Sequence, residues 1–135
     1  MQLYLMQHGQ ALPKDQDPDQ GLSPEGVSQI ETSGRALARL DLKLDWIVAS
    51  PKLRSKQTAG IIAQSLGLEA GRIVETELVK PLAPPLETIG YLAGLQDTEA
   101  VLVAGHLPSL AQVASALISA GGKAAVGFEN GALVR

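Results

Sequence analysis

The chain has no cysteine. Disulfides, thiolate metal sites and a cysteine nucleophile are therefore excluded. Histidine is scarce as well: with two, the chain cannot assemble a three-histidine zinc site. Aromatic residues make up 3% of the sequence and the net charge is −3. A nucleic-acid binder would want a basic face and often stacking rings, so that class is set aside. A small anionic ligand is still compatible with this charge, because an acidic protein can carry a locally positive pocket. No long apolar run is present. The apolar N-terminal stretch Met1–Met6 is far too short for a signal peptide or a membrane span. The expectation is a soluble, cytoplasmic chain with neither nucleic acid nor membrane as partner.

What is present suits one compact domain over residues 1–135, with hydrophobic residues at 45% to build a core. The chain holds no internal repeat, low-complexity tract or long linker. Short apolar runs alternate with helical patterns. Gln2–Gln7 reads as a buried strand, followed by a loop from Gln10 to Gly21 rich in Asp, Gln and Pro. Ser23 is a plausible N-cap with Pro24 at the first helical position, and Val27, Ile30, Gly34, Leu37 and Ala38 recur at helical spacing. Asp45–Ala49 is a second strand. Ser50-Pro51 repeats the cap signal and opens a helix to about Leu66, stopped by Gly67. Arg72–Thr76 is a third strand. Pro81, Pro84 and Pro85 break the chain before a short helix around Leu86–Leu95. Ala100–Ala104, apolar on both faces, is the clearest strand. Pro108–Ala120 is a helix ended by Gly121-Gly122, and Ala125–Phe128 with Ala132–Val134 form a final strand or hairpin. This alternation implies an α/β fold of three α/β/α layers around a mostly parallel sheet, with right-handed crossovers.

In such a sheet, ligands bind beyond the carboxyl ends of the parallel strands. Reactive side chains just after a strand are therefore the ones to weigh. The first strand runs into Gln7-His8-Gly9, the second into Ser50-Pro51-Lys52-Leu53-Arg54, and the fourth into Gly105-His106-Leu107-Pro108. A single histidine in such a place is usually a loop residue or a cap. Both of the chain's histidines at strand ends, each beside a glycine that permits close approach of a ligand, make a poorer accident. Helix starts after Ser50 and after Leu107 would aim N–H groups and positive dipole ends at the same edge. That edge suits an anion, phosphate above all.

These segments resemble the motifs of the histidine phosphatase, or phosphoglycerate mutase-like, superfamily over nearly the whole chain. The family's Arg-His-Gly reads Gln7-His8-Gly9 here, and its Leu-Thr-x-x-Gly reads Leu22-Ser23-Pro24-Glu25-Gly26. Its Ser-Pro-x-x-Arg-x-x-Gln-Thr is complete in Ser50–Thr58, and its Gly-His-x-Pro is Gly105–Pro108. The short length and these spellings look most like the SixA-type phosphohistidine phosphatases.

The resemblance implies a phosphatase that works without metal or organic cofactor. His8 would be the nucleophile toward phosphorus, and Arg54 and His106 would hold the phosphoryl group. Gln7, His8, Arg54, His106 and Leu107 would line the phosphate site. Gln57 and Thr58 would support the helix and loop rather than touch substrate. The partner would be a phosphorylated protein or a small phosphorylated molecule; the oligomeric state is not set by the sequence.

Two departures carry weight. Gln7 brings no charge and no bidentate fork where the family has arginine, which implies slow turnover. Lys52 or Lys14 could compensate, although solvated surface charge is the commoner role for a lysine. After the third strand, where ester-cleaving relatives carry an acid, Lys80 falls in its place and Glu77 is the neighbouring candidate. A P–N substrate, with its good leaving group, fits a site without a strong acid. The rival readings are a small-molecule phosphomonoesterase using Glu77, and a pseudo-phosphatase that binds a phosphorylated ligand without turnover. Many relatives also run further at the C-terminus, so the last hairpin is expected to form a sheet edge.

Overall fold

The computed structural model describes residues 1–95, 97–118 and, as backbone, 133–134. Along the chain lie β1 (Gln2–Gln7), α1 (Pro24–Arg39), β2 (Trp46–Ala49), α2 (Leu53–Leu66), β3 (Ile73–Glu75), α3 (Pro85–Ala93), β4 (Ala100–Gly105), α4 (Ser109–Ile118) and β5 (Leu133–Val134). The sheet order is β3-β2-β4-β1-β5. β1, β4, β2 and β3 pair in parallel, and β5 runs antiparallel to β1 at the edge. All six residues of β4 are buried, as a central parallel strand with helices on both faces requires.

Strand alternation divides the core in two. Tyr4, Met6, Ile47, Ala49, Leu102 and Ala104 face one way, against Ile30 and Leu37 of α1 and Ala59 and Ile62 of α2. Leu5, Val48, Val101 and Val103 face the other way, against Leu92 of α3 and Leu110, Val113 and Ala114 of α4. These are the three layers expected from the sequence. Among the described residues, no helix is long and apolar enough to cross a membrane.

The element starts show how local chemistry trims the expected boundaries. Ser23 caps α1 as anticipated: its Oγ accepts from Gly26 N, with Pro24 at the first position. Gly67 closes α2 in the left-handed region at φ 68. Ser50 does not cap α2, which starts at Leu53 with Lys52 as its cap residue. The Ser50 hydroxyl meets His106 Nε2 at 2.6 Å and accepts from Lys52 N at 3.3 Å. β3 is short because residues 70–72 form a 3₁₀ turn. Of the C-terminal expectations, residues 119–122, 125–128 and 132 lie outside the described residues; Leu133 and Val134 are strand backbone.

The turn after β1 is pressed onto the start of α1. A Cβ on Gly26 would lie 2.1 Å from Gln10 O, and one on Gly9 would lie 2.7 Å from Gly26 O. Ser23 N donates to Gln10 O, and Leu12 N to Gly21 O, so the loop from Gln10 to Gly21 is tied across its base. Glycine at positions 9 and 26 is thus what lets the β1 exit run close to α1 and fixes the backbone of residue 8.

Candidate active site

His8 sits one residue beyond β1. Its N–H donates to Gly105 O at 3.0 Å, extending the β1–β4 ladder by one step. That step carries His8 to the side of His106, one residue beyond β4. The two rings lie 5.0 Å apart between centroids, tilted by 59°. His8 Nδ1 is 2.6 Å from Gly9 O; since a carbonyl can only accept, Nδ1 carries the proton. In the neutral ring Nε2 then holds the lone pair. Arg54 Nε donates to that nitrogen at 3.3 Å.

Arg54 reaches the site from the first turn of α2, where the sequence placed it. Its neighbours in the motif fasten that turn. The Thr58 hydroxyl donates to Arg54 O at 2.8 Å and accepts from Gly9 N at 3.2 Å. Gln57 Oε1 accepts from Leu22 N at 2.6 Å. Thr58 therefore joins α2 to the chain beside His8, and Gln57 joins it to the segment leading into α1.

His106 is held from the opposite side. Ser50 Oγ meets its Nε2, Ser50 N donates to Ser55 Oγ at 2.9 Å, and the Ser55 hydroxyl donates to Ala104 O at 2.6 Å. Ser50 and Ser55 are both fully buried. Sequence reasoning took Ser50 for a cap and passed over Ser55. The available signal was the pair of serines five apart, straddling the strand–helix junction, in a motif otherwise read for its arginine.

Among the described residues, two buried polar atoms here have no partner: His106 Nδ1 and Gln7 Oε1. An unpaired buried polar atom costs about 1–3 kcal/mol. If Ser50 donates to Nε2, the His106 proton sits on Nδ1 and becomes an unused donor, which an anion's oxygen would satisfy. Gln7 ends β1 opposite Gly105. Leu107 follows His106 at the rim, 36% exposed. Glu77 lies in a 3₁₀ turn, residues 77–79, and pairs with Lys80 Nζ at 3.1 Å. Among the described residues, no hydrogen bond or ion pair joins Glu77 to His8, Arg54 or His106.

Burial pushes the His8 pKa down, the Gly9 carbonyl partly restores it, and the Arg54 charge lowers it further. His106 is pushed down to about 3, by burial first and then by His8, Arg54 and Lys52. Both imidazoles are therefore neutral at pH 7. The same shifts set the acid stability of the fold. With native values below the unfolded 6.5, the unfolded chain binds more protons under acid conditions. Stability is complete above pH 6.5 and falls as pH drops toward 3. Each histidine left neutral in the fold adds a slope of about 1.4 kcal/mol per pH unit. Urea unfolding is expected to show a lower stability at pH 5 than at pH 7, and a smaller fall in His106→Asn. Equal stability at the two pH values would contradict buried neutral histidines.

The model of the histidine phosphatase superfamily (branch 1) matches residues 3–78 of the chain. An uncharacterized protein of Picosynechococcus is 31% identical over 125 residues, covering 87% of this chain and 73% of that protein. The mitochondrial serine/threonine-protein phosphatase Pgam5 of Drosophila simulans is 32% identical over 92 residues. That match takes in 66% of this chain, which spans only 32% of the phosphatase. In fold, the chain is similar to the protein histidine phosphatase SixA complexed with tungstate. The TM-score is 0.87 at 24% identity, over 98% of this chain and 85% of that one.

Proposed function

The chain belongs to branch 1 of the histidine phosphatase superfamily, and we propose that it is a metal-independent phosphatase that passes the phosphoryl group through His8, acting on protein phosphohistidine. One observation carries this reading. A neutral imidazole, its proton fixed on Nδ1 by Gly9 O, turns its lone-pair nitrogen toward a guanidinium 3.3 Å away. The lone pair is a nucleophile, and the guanidinium is a ready clamp for phosphoryl oxygens. Tungstate, found with SixA, is an oxyanion of the kind such a clamp would hold.

In the free protein the Arg54 N–H occupies the lone pair that must attack. A phosphoryl oxygen arriving at the guanidinium takes over that donor and frees Nε2, so binding and activation are one event. His8 Nε2 then attacks phosphorus in line. The P–N bond of the substrate breaks, and its bonding pair goes to the departing nitrogen. A substrate imidazole protonated on its other nitrogen leaves neutral. His8 becomes a phospho-imidazolium whose Nδ1–H still donates to Gly9 O. Water next attacks phosphorus, Nε2 recovers its electron pair, and the water proton leaves with phosphate. Charge building on the nonbridging oxygens is met by Arg54 and by the Nδ1–H of His106.

The leaving group is where the substrate class enters. Among the described residues, Glu77 pairs with Lys80 and makes no bond to His8, Arg54 or His106, which supports a reaction that needs no carboxylic acid. A phosphoramidate departs without one. The small-molecule ester reading, which needs Glu77 as acid, is correspondingly weaker.

Gln7 favours a second reading, a protein that binds phosphorylated ligands without turnover. The glutamine brings no charge and no guanidinium fork to the strand end beside His8. The two readings part in one experiment: phosphate release from a phosphohistidine peptide and from an aryl phosphate, by wild type and by Gln7→Arg. A charged donor exceeds a neutral one by about 1–1.5 kcal/mol, so Gln7→Arg is expected to raise turnover about tenfold on the phosphohistidine peptide. Silence of both proteins on both substrates, with phosphate still bound, would favour the binding protein.

A further inference from the structure

The loop after β1 and the start of α2 enclose a second concavity of about 530 Å³, lined by Lys14, Asp19, Gln20, Lys52, Arg54 and Lys56 among others. Arg54 is common to this cleft and to the histidine pair, where its Nε reaches His8. The sequence offers Lys14 and Lys52 either as surface charge or as compensation for Gln7. Both line this cleft together with Arg54.

The charge balance of the cleft is unlike that of the chain. The protein carries a net −3, yet four cationic side chains face one carboxylate, that of Asp19, across this space. Among the described residues, Lys14, Lys52 and Arg54 have no ion-pair partner, whereas Lys56 is 4.0 Å from Glu75. Lys52 is half-buried, and its backbone N–H is anchored to Ser50 Oγ at 3.3 Å. The Lys52 stem therefore leaves a fixed point beside the residue that holds His106. Like charges gathered in excess of their counter-charges repel one another, and a bound anion relieves that repulsion.

We propose that this cleft seats a second anionic group of the substrate, a carboxylate or phosphate near the scissile phosphoryl group, so that the protein prefers phosphohistidine flanked by acidic side chains. The proposal rests on the reading of His8, Arg54 and His106 as the phosphoryl site and adds a substrate preference to it. Lys14 and Lys52 are then specificity residues: they hold the flank while Arg54 holds the phosphoryl group. Lys14 is the cleaner probe, since among the described residues no bond ties it to the histidines.

The test compares three phosphohistidine peptides, with glutamine, glutamate or phosphoserine flanks, in wild type, Lys14→Gln and Lys43→Gln. Lys43 is ion-paired with Asp41 in the turn that precedes β2, away from the strand ends that carry the histidines, and serves as the control. For wild type, KM is expected to be about fivefold lower with acidic flanks than with neutral ones, the scale of one or two exposed ion pairs. Lys14→Gln removes most of that preference and leaves the glutamine-flanked peptide and kcat unchanged. The preference shrinks as salt rises from 0.1 M to 1 M and the screening length falls from about 10 Å to about 3 Å. The glutamate and phosphoserine arms show which anion the cleft takes.

Equal KM for acidic and neutral flanks, or a Lys14→Gln effect as large on the neutral peptide, overturns the proposal while leaving the phosphatase reading intact. If no peptide is turned over, the phosphatase reading fails and the cleft is judged on binding. Fluorescence anisotropy of labelled peptides bearing a non-hydrolysable phosphohistidine analogue then shows the same fivefold preference and the same loss in Lys14→Gln, or the cleft proposal fails too.

Discussion

His8→Ala is expected to cut phosphate release from a phosphohistidine peptide by at least about 10⁴-fold, the scale seen when a covalent nucleophile is removed. The loss should fall on kcat, because Arg54 and His106 remain to bind the phosphoryl group. The fold should survive. His8 is only partly buried, and the backbone bond it makes to Gly105 O is kept by alanine. Thermal unfolding within a few degrees of wild type separates lost chemistry from lost structure. A His8→Ala protein that keeps a tenth of wild-type turnover would remove His8 from the reaction, leaving water or another group as the nucleophile.

Arg54→Ala should be next in severity, with kcat/KM down by about 10²–10³-fold, the range for a lost transition-state donor. Arg54→Lys should recover little of it, since an ammonium cannot place two parallel donors on a phosphoryl group. A second signature tells a clamp from a structural residue. Burial is the main cause of the low His8 pKa, and the Arg54 charge adds to it. Removing the cation raises the His8 pKa, so in Arg54→Ala the acid limb of the pH–rate profile moves to higher pH. An unchanged limb with lowered activity would mean that Arg54 acts through the fold and not on the imidazole.

Much of this site is legible in the sequence because strand ends are. Gln2–Gln7 and Ala100–Ala104 are apolar runs long enough to be read as strands, and each delivers a histidine to the edge where parallel sheets bind ligands. Arg54 is legible from its place after Ser50-Pro51 and from the motif around it. Ser23 and Pro24 state the start of α1 in their own chemistry. Tertiary demands are what the sequence hides. Ser50-Pro51 spells a helix cap, yet α2 begins at Leu53 and the serine hydroxyl meets His106, 56 residues further on. Ser55 looks like an ordinary helical polar residue until Ala104 O is found 2.6 Å away. The strand order depends on pairings between residues far apart in the chain, such as Val48 with Val103. Glu77 shows the limit of register arguments: its place after β3 was readable, but not that its carboxylate would pair with Lys80.

The unpaired His106 Nδ1 and Gln7 Oε1 belong to the same hidden class. Nothing local marks them, since each side chain is ordinary in its own segment. Only the pairing of β1 with β4 leaves them both buried at the ends of adjacent strands. The first can donate to an anion where Ser50 donates to its Nε2, and the second belongs to an amide that brings no charge. That contrast is why a working but slowed phosphatase is the proposed reading.

The most direct test is to trap the phosphorylated protein. Wild type is mixed with a ³²P-labelled phosphohistidine peptide, quenched within milliseconds and mapped by mass spectrometry. The account predicts label on His8, stable to alkali, labile to acid, and absent in His8→Ala. Turnover with no labelled protein at any time, or label on another residue, would contradict it.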